Sequence, residues 1–119
     1  MNTFNRLRTW AVDRGIADQQ PDRNGFVANI TEELGEYLEA FKKGNVNDVV
    51  DAIADIRVFC ATELVKMGYD IEKVEDEVLC VIESRTGSWD ATNNKFQKDM
   101  STKATSNWHF ANYKDCKEK

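Results

Sequence analysis

Ile30-Thr31-Glu32-Glu33-Leu34-Gly35-Glu36-Tyr37-Leu38-Glu39-Ala40, followed shortly by Asp51-Ala52-Ile53-Ala54-Asp55-Ile56, is the stretch that decides how this chain folds. Both runs mix acidic and apolar residues at helical spacing, and Gly44-Asn45 lies between them as a stop and an N-cap. The pattern predicts one helix that begins around Asp22 to Gly25 and ends at Lys43, with Phe26, Ile30, Leu34, Leu38 and Phe41 as its apolar stripe. A second helix follows Asn45 and ends at Gly68.

At about 100° per residue, and with Phe26 as zero, the apolar arc of the first of these helices covers roughly 0° to roughly 120°. Glu33 falls at about 340° and Glu36 at about 280°, at the border of that arc. Glu32, at about 240°, and Glu39, at about 220°, lie farther toward solvent. The next helix is apolar around most of its circumference and is expected to be largely buried. Its sustained polar strip, Asp48, Asp51 and Asp55, occupies an arc of about 60°. Acids on such a helix repel one another and resist burial unless a cation or strong donors compensate them. Facing a second acidic strip across a short turn, they would make an oxygen-rich cage of the kind hard divalent cations take, magnesium commonly together with substrate phosphates. The plainer reading, charge strips that simply meet water, suits Glu32 and Glu39 better than it suits Glu33, Glu36, Asp51 and Asp55.

Outward from this pair, a helix is expected over about Phe4 to Arg14, stopped by Gly15, and another from Ile71 to about Arg85, opened by Asp70. The fold class expected is all-α, a four-helix bundle over about residues 1–85 within a single domain spanning 1–119. From Thr86 the periodicity ends, and the tail 86–119 reads as loop-rich, with a short hairpin near Trp89 to Phe96 and a helical turn near Ala104 to Trp108. Its aromatic content predicts packing on the helices or on a neighbouring subunit.

With 119 residues, 41% of them hydrophobic, and one proline, the chain suits one domain with one modest core. Sixteen basic residues against 21 acidic ones, net −5, argue against a nucleic-acid polymer as partner, which needs clustered Lys and Arg. Cys60, Cys80 and Cys116 are odd in number and far apart, so neither a disulfide framework nor a metal knuckle is readable, and Cys60 and Cys80 are expected in the core. The first residues lack the apolar run of a signal peptide, and no apolar stretch approaches the roughly 20 residues that span a bilayer. A cytoplasmic protein with no membrane partner is expected.

The two acidic runs, with Met67-Gly68-Tyr69-Asp70 after them, resemble the all-alpha nucleotide pyrophosphohydrolases: the MazG-like proteins, including phage and bacterial members, the dimeric dUTPases and the phosphoribosyl-ATP pyrophosphohydrolases. The resemblance covers about Gly25 to Arg85 and rests on a Glu-Glu-x-x-Glu then Glu-x-x-Asp pattern. It implies a MazG-like bundle completed by homo-oligomerisation, as a homodimer or homotetramer, and metal ligation by Glu33, Glu36 and Asp55. The position three before Asp55 is Ala52, a departure from the pattern; Asp51 shares a helix face with Asp55 and is the substitute ligand.

What the resemblance implies chemically is Mg2+-dependent hydrolysis, with Mn2+ as a replacement ion, of a nucleoside triphosphate or related nucleotide between the α and β phosphates. Glu32 or Glu33 is the candidate to accept the proton of the attacking water. Arg85, Lys95 and Lys98, with Lys103, are the candidates for phosphate, and Trp10, Trp89 and Trp108 can stack on a base, although core or interface packing is the commoner fate of tryptophan. Arg57 falls among apolar residues and is expected either to pair with an acid such as Glu75 or to reach substrate. A carboxylate-bridged di-iron bundle is set aside because it needs paired Glu-x-x-His motifs and the chain has one histidine, His109. The rival from another class is a catalytically silent helical adaptor that binds a nucleotide or protein.

Overall fold

A computed structural model describes residues 2–102 and 108–118. It contains α1 (Thr3–Asp13), α2 (Arg23–Lys43), α3 (Val46–Lys66), α4 (Ile71–Glu83), and an antiparallel hairpin of β1 (Gly87–Asp90) and β2 (Lys95–Lys98), with short 3-10 turns at Met100–Thr102 and Lys114–Cys116. The structure is therefore mostly helical with one small sheet. The helical turn expected near Ala104 lies outside the described residues, and Trp108 itself is not helical. Among the described residues no helix is long and apolar enough to cross a membrane. The chain divides into two compact units, residues 1–71 with Glu118, and residues 72–117.

Short-range chemistry sets the helix ends. Gly44 takes φ 69° and donates its N–H to the Ala40 and Phe41 carbonyls, a left-handed cap that a side chain would strain. One residue later the Asn45 side chain accepts from Asp48 N–H at 3.1 Å, and its amide donates to the Asp48 carboxylate at 2.7 Å. This two-residue connection turns the chain back on itself, so α2 and α3 run antiparallel and pack along their length. On α1 the Asn2 side chain accepts from Asn5 N–H at 2.8 Å.

In the first unit the apolar cluster is formed by Ala11, Val65 and Ile71, with Phe4, Leu7, Ile16, Ala17, Ala61 and Leu64 against it. The guanidinium of Arg57 lies 5.5 Å from the centre of the Phe4 ring, a cation–π contact. Arg8 closes on Glu118, with Nη2 donating at 2.9 Å, and Glu118 N–H donates to the Gly68 carbonyl at 2.8 Å.

Two expectations about faces are corrected. The inner face of α2 consists of Phe26, Ile30, Glu33, Tyr37 and Ala40, whereas Leu34, Leu38 and Phe41 are exposed, Phe41 by 68%. Glu33 thus sits within the packed stripe rather than at its border. On α3 only Ala52, Thr62 and Val65 are buried, and Val46, Val50 and Ile53 are more than half exposed, so the helix is not largely buried in one chain. The physical reason is common to both: within the first unit, α2 and α1 cover only part of the circumference of α3, and apolar periodicity does not say whether a stripe meets its own chain or another. Cys60 and Cys80 are likewise exposed rather than in the core, while Cys116 is buried. Desolvation and the nearby Asp76, Glu77 and Glu83 raise the Cys80 thiol above its ordinary value.

In the second unit, β1 and β2 pair Trp89 with Phe96 and Asp90 with Lys95. Asp90 organises the turn by accepting from Thr92 and Asn93 N–H at 3.0 and 3.2 Å, and Asn94 takes φ 55°. At Gly87, φ 157°, a Cβ would overlap the Gln97 carbonyl oxygen and meet the Phe96 ring at 2.8 Å, so the hairpin requires glycine there.

Candidate active site

Inside the first unit the α2–α3 contact carries the acids. Glu33 is 9% exposed, and its Oε2 is buried without a hydrogen-bond partner. Burial raises its carboxyl above the usual range, reinforced by the neighbouring Glu36 and by the charges of Asp55 and Glu32. Asp55 is raised too, by burial and then by Asp51 and Glu36. The charges named as acting on both groups are all negative, an arrangement that a compact domain tolerates only where a proton or a cation compensates.

The antiparallel hairpin explains how these residues meet. Counted from the turn, Glu33 and Asp55 lie at matching distances on the two helices, and Glu36 lies closer to the turn, opposite Ala52 and Asp51. A cavity of about 240 Å3 opens at this end, lined by Glu36, Glu39, Ala40, Lys43, Asp48, Asp51 and Ala52. Lys43 stands 3.4 Å from Glu39 and so neutralises the solvent edge rather than the centre.

Ala52 is buried, 3% exposed, as is Ala40 on the facing helix. At the position where the motif carries an acid, this chain has a small residue on the cavity wall, and Asp51 reaches the same cavity from one residue away. Glu32 is exposed and acts on Glu33 through its charge. Glu33, Glu36, Asp51 and Asp55 are therefore brought into one electrostatic group. Among the described residues, however, no three Asp, Glu, His or Cys side chains converge at the spacing of ligands around one ion. The donor set suits a hard divalent cation by charge and by its orphaned buried oxygen.

The basic candidates belong to the second unit. Arg85 lies 4.4 Å from the centre of the Trp108 ring and 5.7 Å from that of Phe110, so its guanidinium is engaged by aromatic faces. Lys95 and Lys98 are exposed on β2 three positions apart, which puts them on opposite faces of the hairpin. Lys103 lies outside the described residues.

Sequence reasoning missed a network in this unit. His109 Nε2 lies 3.0 and 2.9 Å from the two oxygens of Glu77, which also accepts from Asn112 N–H at 2.8 Å. These bonds hold the Glu77 carboxyl below the usual range, the Asn112 N–H foremost. His109 N–H donates to Ser84 Oγ at 2.7 Å, and Ser84 in turn donates to the Val81 carbonyl at 2.8 Å. The partners are 25 to 35 positions apart, with no local signal to join them.

The family model for phosphoribosyl-ATP pyrophosphohydrolase matches residues 14–79, which is more than half of the chain and includes both acidic runs. The chain belongs to the phosphoribosyl-ATP pyrophosphohydrolase family. Membership in that family places it among the all-alpha nucleotide pyrophosphohydrolase-like proteins that its motifs resemble, and points to pyrophosphohydrolase activity. Comparisons with curated proteins and with solved structures give no match. The family match ends within α4, so it covers α2 and α3 entirely and stops before the hairpin.

Proposed function

We propose that this chain is a Mg2+-dependent nucleotide pyrophosphohydrolase that cleaves a nucleoside triphosphate or related nucleotide between the α and β phosphates, leaving a monophosphate and pyrophosphate. Glu33, Glu36, Asp51 and Asp55 are the residues that would hold the metal. The observation that carries the reading is Glu33, a buried acid with an orphaned oxygen, set among the negative charges of Glu36 and Asp55. Phosphoribosyl-ATP, from the family's name, joins the triphosphates as a candidate substrate.

The chemistry that Mg2+ supplies there, or Mn2+ in its place, is neutralisation of phosphate oxygens and acidification of a water. The chain's part is to orient and to accept. A water oxygen adds to a phosphorus of the α–β bridge, the bridging P–O bond breaks with release of pyrophosphate, and the water proton passes to a carboxylate oxygen of Glu33. The Glu33 oxygen that has no hydrogen-bond partner is the one placed to take that proton, and the exposed Glu32 is the alternative acceptor.

The exposed apolar stripes fit the same reading as an interface. Leu34, Leu38 and Phe41 on α2 and Val46, Val50 and Ile53 on α3 are each about half exposed or more, and a second copy, as homodimer or within a homotetramer, would cover them.

A silent nucleotide- or protein-binding adaptor is favoured by one observation, the buried Ala52 where the motif carries an acid. A nucleotide panel resolved by 31P NMR, with and without Mg2+, separates the two. The enzyme gives monophosphate and pyrophosphate only with the ion; absence of product from every nucleotide, with the fold intact, selects the adaptor.

A further inference from the structure

A second cavity of the first unit, about 230 Å3, is lined by Trp10 and Ile16 from α1 and its following turn, Gln19, Asn29 on α2, and Val58, Phe59, Thr62 and Lys66 on α3. Its position relative to the acids follows from the helices. Asn29 precedes Glu33 by four residues and Phe59 follows Asp55 by four, so in an antiparallel pair both lie about one turn, roughly 6 Å, beyond the acids on the side away from the Gly44-Asn45 connection. Around α2 from Phe26, Asn29 falls at about 300°, between Glu36 at about 280° and Glu33 at about 340°. Around α3 from Val46, Thr62 at about 160° and Phe59 at about 220° flank Asp55 at about 180°. The acids and this cavity therefore share one face of the hairpin, in a line that runs from the turn, through the carboxylates, to an aromatic end.

The lining has the chemistry of a base pocket. Trp10, 40% exposed, and Phe59 offer π surfaces on which a flat heterocycle stacks. Asn29 is half-buried, and among the described residues its carboxamide has no hydrogen-bond partner, which leaves an adjacent donor and acceptor facing the same way as the acids. That pairing matches the adjacent donor and acceptor on a base edge. Gln19 is anchored by its own amide, which donates to the Gly15 carbonyl at 3.1 Å, and the Thr62 hydroxyl donates to the Phe59 carbonyl at 3.1 Å, so both are fixed in place. The volume falls below the roughly 300–1,000 Å3 of pockets that enclose a whole ligand, and suits one ring system with the rest of the nucleotide outside.

We propose that this cavity receives the base of the nucleotide, stacked against Trp10 and Phe59 and read by Asn29, while the phosphates extend toward Glu33, Glu36 and Asp55. The inference rests on the pyrophosphohydrolase reading of those acids, but its test does not. Uncharged nucleosides need no metal and no hydrolysis. Titrated into the 15N-labelled chain without divalent ions, up to their solubility, a nucleoside of the preferred base shifts the Trp10 indole and Asn29 carboxamide resonances saturably. Trp10→Ala and Asn29→Ala, both with unchanged circular dichroism, weaken that binding by at least tenfold. With hydrolysis as a second readout, Asn29→Ala lowers kcat/KM for the preferred base at least tenfold and that for the poorest base less than threefold, which compresses the discrimination. The proposal is overturned if no nucleoside moves these resonances, or if both variants bind and discriminate as the parent does. Absence of pyrophosphate release from any nucleotide, with nucleoside binding intact, would instead fell the hydrolytic reading and leave the pocket standing.

Discussion

Replacing Glu33 with glutamine should move the thermal midpoint in opposite directions depending on whether a divalent ion is present. Without the ion, the parent must bury a carboxyl among Glu36, Asp55 and Glu32, with one oxygen unpartnered. Glutamine keeps the shape, removes the charge and offers an N–H donor to Glu36, so the midpoint rises. With Mg2+ at one hundred times its Kd, binding adds about 2.7 kcal/mol to the parent, worth on the order of 10 °C for a chain of this size. If the substitution weakens the ion about a hundredfold, comparable to the larger losses from outer-shell changes alone, the same concentration adds only about 0.4 kcal/mol, or about 2 °C. Differential scanning fluorimetry of both proteins across a magnesium series measures all four midpoints. A glutamine variant that melts lower than the parent without Mg2+, or gains as much from the ion, refutes the placement of Glu33 in the ion's shell.

Two further outcomes follow from the same residues. Glu33 and Asp55 have raised carboxyls, so between the ordinary range near about 4 to 4.5 and their raised values the folded chain binds more protons than the unfolded one, and metal-free stability falls as pH rises. Glu77 has a lowered carboxyl and acts with the opposite sign: its stabilisation is present above about 4.5 and is lost as pH falls through its folded value. Metal-free melts should therefore improve as pH falls through the raised values toward about 4.5 and worsen as it falls further through the lowered value of Glu77, and Glu33→Gln should flatten the first limb; an unchanged slope in that variant would contradict the assignment. Asn45→Ala removes the cap at Asp48 N–H and should lower stability by about 1 kcal/mol in urea melts, whereas no change would mean that the α2–α3 turn is held by other contacts.

Much of the fold was legible because its punctuation is local. Gly44, Asn45 and Gly68 end and begin helices through their own backbone and side-chain chemistry, and the observed ends of α2 and α3 follow them to within two residues. The faces were less legible. Leu34, Leu38 and Phe41 read as inward because they are apolar and periodic, yet Glu33 takes the packed position and they remain exposed. Periodicity defines a stripe and leaves its partner unnamed. The acids of the candidate site were recognisable from spacing along two consecutive helices, since a two-residue turn fixes which residues meet. Asn29 and Phe59 carry no such mark: they become neighbours of the acids only once the helices run antiparallel with α1 across their far end. The Glu77–His109 contact joins residues 32 positions apart through a tail without periodicity, and nothing short-range announces it.

The proposed chemistry requires that α2 and α3 together supply the ion-binding carboxylates. Its most direct measurement is the rate of pyrophosphate release by Glu36→Gln and Asp55→Asn, one substitution per helix, at saturating Mg2+ on the best nucleotide of the panel, with folding checked by circular dichroism. Each change should lower kcat/KM by at least about a hundredfold with the helical signal unchanged. Near-parental rates in both variants would mean that the chemistry takes place elsewhere.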